Sequence, residues 1–194
     1  MDKQMFEFYK NALIGGLCDE YKGLWQSANN EKEKLVKLAM QQQSIAYLAT
    51  HCYNGDGLTK EYIETAFEDY INGNATLHDC DGVDGYTYGL YVGYNGDLSV
   101  SDDVLSFMWC DIPSLEIKKS KCPIFYINNK SKCGIVSGGY NSIRVYLFDE
   151  SEVTLNDIDE TSDVVVYKYS DNCKVVLGKY CMGKVKQFRK KLVL

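Results

Sequence analysis

Histidine and proline are scarce in this 194-residue chain, with two of each. Two histidines, His51 and His78, leave little room for imidazole-based catalysis, which needs a base positioned beside a Ser or Cys nucleophile. His51 falls near the end of a helical segment, where the helix dipole favours a cation, and its neighbour Cys52 faces another side of that helix. No Cys-x-x-Cys pair occurs among the eight cysteines (18, 52, 80, 110, 122, 133, 173 and 181). That spacing excludes a zinc ribbon and a thioredoxin-like centre. No Gly-x-Gly-x-x-Gly or phosphate-loop sequence occurs either, so no nucleotide fingerprint is present and no cofactor is expected. No apolar run approaches the roughly 18 residues of a membrane span. The opening residues, Met1 to Glu7, lack a basic start and an apolar core, so no signal peptide is expected and the cytoplasm is the expected compartment. Reduced cysteines acting as small buried hydrophobes follow from that compartment.

What the chain does have is tyrosine, 16 residues of it, with 16 glycines, 45% hydrophobic and 25% charged residues. Tyrosine suits strands and half-buried surfaces, because its ring packs while its hydroxyl stays wet. Charge is divided unevenly. Six basic residues (Lys179, Lys184, Lys186, Arg189, Lys190 and Lys191) and no acid lie from position 179 onward, leaving 15 basic against 27 acidic residues in the rest, a net charge of −12. Such a body is a poor non-specific binder of nucleic acid. The basic tail reads as the guard of an edge strand, with phosphate or an acidic partner as the alternative contact.

Residues 1–73 read as a helical N-terminal domain. Phe6, Tyr9, Leu13, Leu17, Tyr21 and Leu24 recur at three- and four-residue steps. Gly15-Gly16 interrupts them. Asn30 with Glu33 has the spacing of a capping box before a second helix whose apolar face is Leu35, Leu38, Ala39, Ile45, Ala46, Ala49 and Cys52. Asn54 to Gly57 stops it. A third helix is capped by Thr59, stapled by Leu58 and Ile63, buries Ile63, Ala66, Phe67 and Tyr70, and is followed by Gly73.

Residues 74–114 form a hinge and the first strands. Tyr86, Tyr88, Leu90, Val92 and Tyr94 alternate with smaller or polar partners, the period of a strand. The candidate binding residues lie here: Asp79, Asp81 and Asp84, and the aromatic set Tyr86, Tyr88, Tyr91 and Tyr94, which with Phe107 and Trp109 would make a stacking platform if half of them did not face a core. The acids fail the register of a calcium loop, since Val83 falls at position 5 and Asp84 at position 6 when Asp79 is position 1, and Leu90 stands where the bidentate Glu belongs. His78 and Cys80 are too few to hold a transition metal, so no metal site is expected.

From 115 to 194 a repeat emerges. Apolar strands start near Leu115, Ile124, Cys133, Ile143, Val153, Val164, Val175 and Val185, at steps of 9, 9, 10, 10, 11, 11 and 10 residues, with polar clusters between them. Strands this short, with apolar residues in matching places and Asn, Asp, Ser and Cys near the corners, predict a short-repeat β-solenoid with stacked corner ladders. The alternative with the same spacing is an antiparallel β-sandwich. The fold class is thus α+β, with the helices and the basic last strand expected to cap the two ends. Residues 143–149 (Ile-Arg-Val-Tyr-Leu-Phe-Asp) and 163–171 (Asp-Val-Val-Val-Tyr-Lys-Tyr-Ser-Asp) resemble short-repeat β-solenoid proteins among uncharacterised proteins of gut bacteria and their phages. The resemblance implies a solenoid and a mobile-element setting, and it transfers no active site.

Three functions suit this reading: a non-enzymatic interaction or structural protein with an unidentified protein partner or a second copy of itself; an enzyme acting on carbohydrate or another polymer through carboxylates on the solenoid face; and an acidic mimic of nucleic acid. The first is preferred because stacked coils give a rigid surface with little ordering cost on binding.

Overall fold

The computed structural model describes residues 1–14, 17–40, 58–72, 77–78, 87–139 and 141–190. Among these residues four helices and twelve strands form, the helices first: α1 (Lys3–Ile14), α2 (Asp19–Ser27), α3 (Lys32–Met40) and α4 (Lys60–Ala66), the last followed by a 3-10 turn (Glu68–Tyr70). Twelve strands follow: β1 (Leu77–His78), β2 (Thr87–Val92), β3 (Leu98–Val100), β4 (Val104–Met108), β5 (Asp111–Ile117), β6 (Ile124–Asn128), β7 (Lys132–Ser137), β8 (Ser142–Leu147), β9 (Glu152–Ile158), β10 (Asp163–Lys168), β11 (Lys174–Cys181) and β12 (Lys184–Arg189). No described helix is long and apolar enough to cross a membrane.

The strands coil as a β-solenoid with two strands per coil. Even-numbered strands stack in one sheet, in the order β2-β4-β6-β8-β10-β12 with β1 beyond β2, and odd-numbered strands stack in the other, β3-β5-β7-β9-β11. Every pair from β2 onward is parallel; only β1 runs antiparallel, against β2. From β2 onward, successive strands in sequence therefore belong to opposite sheets, which rules out the antiparallel sandwich. The ten-residue spacing is half a coil. Whole coils are visible in the even sheet, where Tyr88, Val104 and Ile124 are successive register partners, as are Ile143, Val164 and Val185. Coiling starts at Thr87, ahead of the stretch in which the repeat is legible.

The interior is built from the inward residues of both sheets. Leu105, Phe107, Phe125, Ile127, Ile143, Val145, Val164 and Val166 meet Ile112, Leu115, Cys133, Ile135, Val153 and Leu155 in one buried cluster. Each member sits above its counterpart one coil away, so the column is apolar throughout. The corners carry the polar ladders. At one, the Cys110 backbone N–H donates to Ser131 Oγ (3.0 Å), Ser131 Oγ–H donates to the Phe107 carbonyl (3.2 Å), and Ser151 Oγ–H donates to the Phe148 carbonyl (2.6 Å), with Cys173 Sγ 4.0 Å beyond. At the other, Ser162 Oγ–H donates to the Gly139 carbonyl (2.7 Å) and Asn141 Nδ2–H to Ser137 Oγ (2.6 Å). These bonds satisfy backbone groups that a tight corner would otherwise bury unpaired.

The described helices lie across the outer face of the even sheet, where an end cap was expected. Met5, Phe8, Trp25, Leu35, Val36, Ala39, Leu58, Ile63 and Phe67 form a second core with the outward residues Leu90, Val92, Val104, Met108, Ile124 and Tyr126. The strands record this contact directly. β4 and β6 are buried at every position, whereas β8 and β10 alternate between buried and partly open. A strand covered on both faces has to be apolar on both, as Val104-Leu105 and Ile124-Phe125 are.

Within the helices, two local expectations are corrected. Of the predicted stripe, Phe6, Leu13 and Leu24 are exposed while Tyr9, Leu17 and Tyr21 are half buried, and the fully buried face is Met5, Phe8, Ala12 and Trp25. Both sets have helical spacing; tertiary contact, chiefly of Phe8 and Tyr9 with the Trp25 ring at 5.9 and 5.2 Å, chooses between them. Asn30 does not cap α3. Asn29 and Asn30 both adopt the left-handed conformation (φ 47° and 63°) between α2 and α3, and Glu33 pairs with Lys37 (2.8 Å) instead of folding back. The third predicted helix forms as expected: Thr59 Oγ1 accepts the Tyr62 N–H (3.2 Å), and Leu58 and Ile63 are buried in one cluster. Residues Ile45, Ala46, Ala49, His51, Cys52, 54–57 and Gly73 lie outside the described residues.

Candidate functional site

The residues singled out in sequence are distributed by the fold rather than gathered. Tyr91 is an inward residue of β2; it is buried in the solenoid core and stacks on Phe107 at 5.5 Å. Tyr94 is half exposed, meets Tyr91 edge-on at 5.8 Å and donates its hydroxyl to the Asp97 carbonyl (2.9 Å). Trp109 is half buried at a corner in the left-handed conformation (φ 55°), under the ammonium of Lys60 at 6.0 Å. Tyr88 belongs to β2 and pairs with Val104. Asp79, Asp81, Asp84 and Tyr86 lie outside the described residues.

A different set of aromatics forms an ordered surface. Tyr126, Tyr146, Tyr167 and Phe188 occupy one outward column of the even sheet, aligned by the β6-β8, β8-β10 and β10-β12 registers. Their rings stack face to face, with centroids 4.9, 5.0 and 5.6 Å apart and interplanar angles near 20°. The strand spacing of about 4.8 Å sets that separation, so parallel in-register stacking turns identical side chains into a continuous pile. Beside it, Phe148 and Tyr169 stack at 4.8 Å. Arg144, Val165 and Lys186 form the next column, and Lys190 places its ammonium 5.6 Å from the Tyr167 ring.

This face is covered unequally. Tyr126 lies beneath the helices, Tyr146, Tyr167 and Tyr169 are half buried, and Phe188 is 45% exposed. Desolvation pushes the Tyr146 and Tyr169 hydroxyls above the ordinary tyrosine range. The ring faces are spent on one another, so the pile offers edges outward. It cannot sandwich a base or a sugar between its members, and among the described residues the last ring of the pile is the exposed Phe188.

Carboxylates follow another pattern. On the odd sheet Asp111, Lys132, Glu152 and Lys174 succeed one another in register, alternating in sign, and Lys130 pairs with Glu150 at 3.6 Å. Lys130, Lys132, Glu150, Glu152 and Lys174 line a shallow corner depression with Asp171 and Asn172. Asp149 is held above its usual range, by burial first and by the neighbouring Glu150 second. Alternation with lysine is the reverse of a phosphate-like stripe, and it neutralises the acids that a polymer-cleaving groove would bring together.

Three of the six described cysteines (Cys110, Cys133 and Cys173) are buried, Cys181 is intermediate, and Cys18 and Cys122 are exposed. Burial pushes the Cys110 thiol up to about 11 and raises Cys133 and Cys173 as well, so these three serve as packing groups rather than nucleophiles. No group of acids, histidines and cysteines suited to a metal occurs among the described residues. Compared with known protein families, with curated proteins and with solved structures, the chain matches none.

The aromatic column escaped the sequence reading although its signal was present. Tyr126, Tyr146, Tyr167 and Phe188 are 20, 21 and 21 residues apart, twice the visible half-coil step. Reading the repeat at the whole-coil period brings them into line.

Proposed function

We propose that this chain is a non-enzymatic interaction or structural protein. Its binding surface is the part of the even sheet's outer face that the helices leave uncovered. The observation that carries this reading is the continuation of one face across the helix boundary. Leu90, Val92, Val104, Ile124 and Tyr126 are already used as a docking surface by the chain's own helices. Past that boundary the same face continues in straight rows, with Arg144, Lys186 and Phe188 exposed, Val165 and Tyr167 partly open, and Tyr146 and Tyr169 partly buried against the helix-lined core. Tyrosine and arginine on a rigid scaffold bind at low entropic cost, which is why they dominate the energetically important parts of interfaces.

The likeness of residues 143–171 to solenoid proteins of gut bacteria and their phages supports a mobile-element role, inside a cell. Genes flanking the coding sequence are the direct check on that setting. The binding surface is tested by placing a photo-crosslinking amino acid at Val165, on the uncovered even face, and at Val176, on the odd sheet, in cells that make the protein. Crosslinks to a defined partner from Val165, and not from Val176, are expected. A strict monomer by light scattering together with no crosslink from Val165 refutes the reading.

A further inference from the structure

Three periodic structures run along the solenoid, and among the described residues all three reach their last rung at the same coil. The backbone ladder ends at β11 and β12, each the last strand of its sheet among the described residues. In the interior column, Leu155 is fully buried but its register partner Leu177 is 56% exposed, and Val164 gives way to the partly open Val185. The aromatic column stops at Phe188, with one ring face uncovered. In a stacked fold each coil contacts only its neighbours, so a terminal coil is short by one neighbour's worth of burial and hydrogen bonds.

The two open edges are not equivalent. β11 breaks register between Leu177 and Tyr180, a bulge that makes a poor template for pairing. β12 pairs with β10 through six consecutive residues without a shift, so its free side is a regular edge. Its charge is of one sign. From 174 to 190 the chain contains Lys174, Lys179, Lys184, Lys186, Arg189 and Lys190 and no acid; on the inner side of the strand Asp163 stands in register with Lys184, and Asp171 is engaged by Arg189. That rules against a second copy meeting this edge across a two-fold axis, because lysine would face lysine. A head-to-tail copy lacks a matching edge: the opposite end of the even sheet is closed by the two-residue antiparallel β1. Lysines also deter unwanted pairing, but that role alone does not account for Val185 and Phe188 left open on the two sides of the same strand.

We propose that β12 is the acceptor edge for an acidic, extended polypeptide segment of another protein, which adds a strand to the even sheet. The proposal rests on the reading of the chain as an interaction protein and names the partner's chemistry. In register, the added strand places an aliphatic residue against Val185, a carboxylate against Lys186, an aromatic ring on the free face of Phe188 and a second carboxylate near Lys190. Main-chain bonds supply affinity and the alternating side chains supply selection, as in other strand-addition complexes. Nucleic acid offers the charge but neither the backbone donors and acceptors nor the aliphatic group.

The probe is a labelled heptapeptide, Thr-Val-Glu-Thr-Tyr-Thr-Glu, titrated with the full chain and followed by fluorescence anisotropy. The comparisons are the same peptide with Lys for Glu, the same peptide N-methylated at alternate residues, and labelled oligo-dT. The acidic peptide is expected to bind at least about tenfold more tightly than the lysine and N-methyl versions, and to weaken as salt rises. Lys186→Glu and Phe188→Ser should each reduce its affinity by about tenfold or more, with the urea midpoint of Lys186→Glu showing that the fold is kept. Equal binding of the N-methylated peptide, tighter binding of oligo-dT, self-association through β12 that excludes the peptide, or no binding at millimolar protein each overturns the proposal. A Val165 crosslink that survives when the peptide fails refutes the edge assignment alone and leaves the face reading standing.

Discussion

Gly134 offers the sharpest test of how closely the coils are stacked. It lies in β7, between β5 and β9, and a methyl group built on it would stand 2.1 Å from the Pro113 carbonyl oxygen and 2.5 Å from Asn156 Nδ2. The Asn156 amide is a side chain that can turn, although turning breaks its bond to the same carbonyl (3.2 Å). The Pro113 oxygen is backbone, in the register break of β5 between Ile112 and Leu115, and is pinned by the ladder pairs on either side. Contact at ordinary distance requires 3.4 Å or more, so β5 and β7 would have to part by over an ångström locally, against a strand spacing of about 4.8 Å. Overpacking of this kind costs about 1–3 kcal/mol, and loss of the Asn156 bond adds roughly 1 kcal/mol. Gly134→Ala is therefore expected to destabilise by about 2–4 kcal/mol, which for a chain of this length lowers Tm by roughly 4–16 °C. The control is Gly138→Ala, at an exposed corner with nothing within 4 Å of the added carbon; it should stay within about 0.5 kcal/mol of the parent. Urea unfolding followed by circular dichroism measures both. Equal midpoints for Gly134→Ala and Gly138→Ala would refute the stacking argument at this rung.

Removing the middle ring of the aromatic pile by Tyr146→Ser should cost about 2–4 kcal/mol, since it loses burial and two stacked neighbours worth roughly 0.5–1.5 kcal/mol each; near-ultraviolet circular dichroism should lose intensity with it. A thiol reagent should label Cys18 and Cys122 quickly in the native protein and reach Cys110, Cys133 and Cys173 only on unfolding, as mass spectrometry of the labelled peptides would show. Thr59→Ala should lower stability by about 1 kcal/mol through loss of the α4 cap. Asp149 has a carboxyl pKa raised by folding, so the native state favours its neutral form. The contribution is intact below the unfolded pKa and lost as pH climbs through the folded one. Asp149→Asn, which keeps the left-handed backbone (φ 55°) accessible, should raise the urea midpoint at pH 7 by less than about 1 kcal/mol in stability and leave it unchanged at pH 3.

The strand positions were legible because a coil constrains the sequence at every rung. Ile124 begins β6 as read, and Cys133, Ile143, Val153, Val164, Val175 and Val185 each lie one residue inside a strand. Leu115 falls in the middle of β5, and the coils before it went unread because shorter steps, such as Tyr88 to Val104, break the ten-residue rhythm. Helix identity was legible in Thr59 and Leu58, where the cap is chemically explicit. Which helix face is buried was not, since Phe6 and Phe8 are equally apolar and only the Trp25 ring distinguishes them. The placement of the helices on the even sheet was written in the doubly apolar β4 and β6, whose meaning depends on knowing that a second layer covers them. The aromatic column was hidden by reading the half-coil as the unit.

Two strands per coil give this protein a quantised length. From β4 onward each unit of 20 or 21 residues adds one rung to each sheet, about 4.8 Å of height, and returns the chain to the same side with the same faces pointing inward and outward. Loss or gain of one whole unit between β6 and β10 thus leaves the helix-covered beginning and the lysine-rich end intact and changes only the distance between them. A change of a single residue inside a strand does the opposite, since it sends every following side chain to the wrong face. Lineages of this protein should accordingly differ by complete coils or by corner residues, and scarcely at all by anything in between.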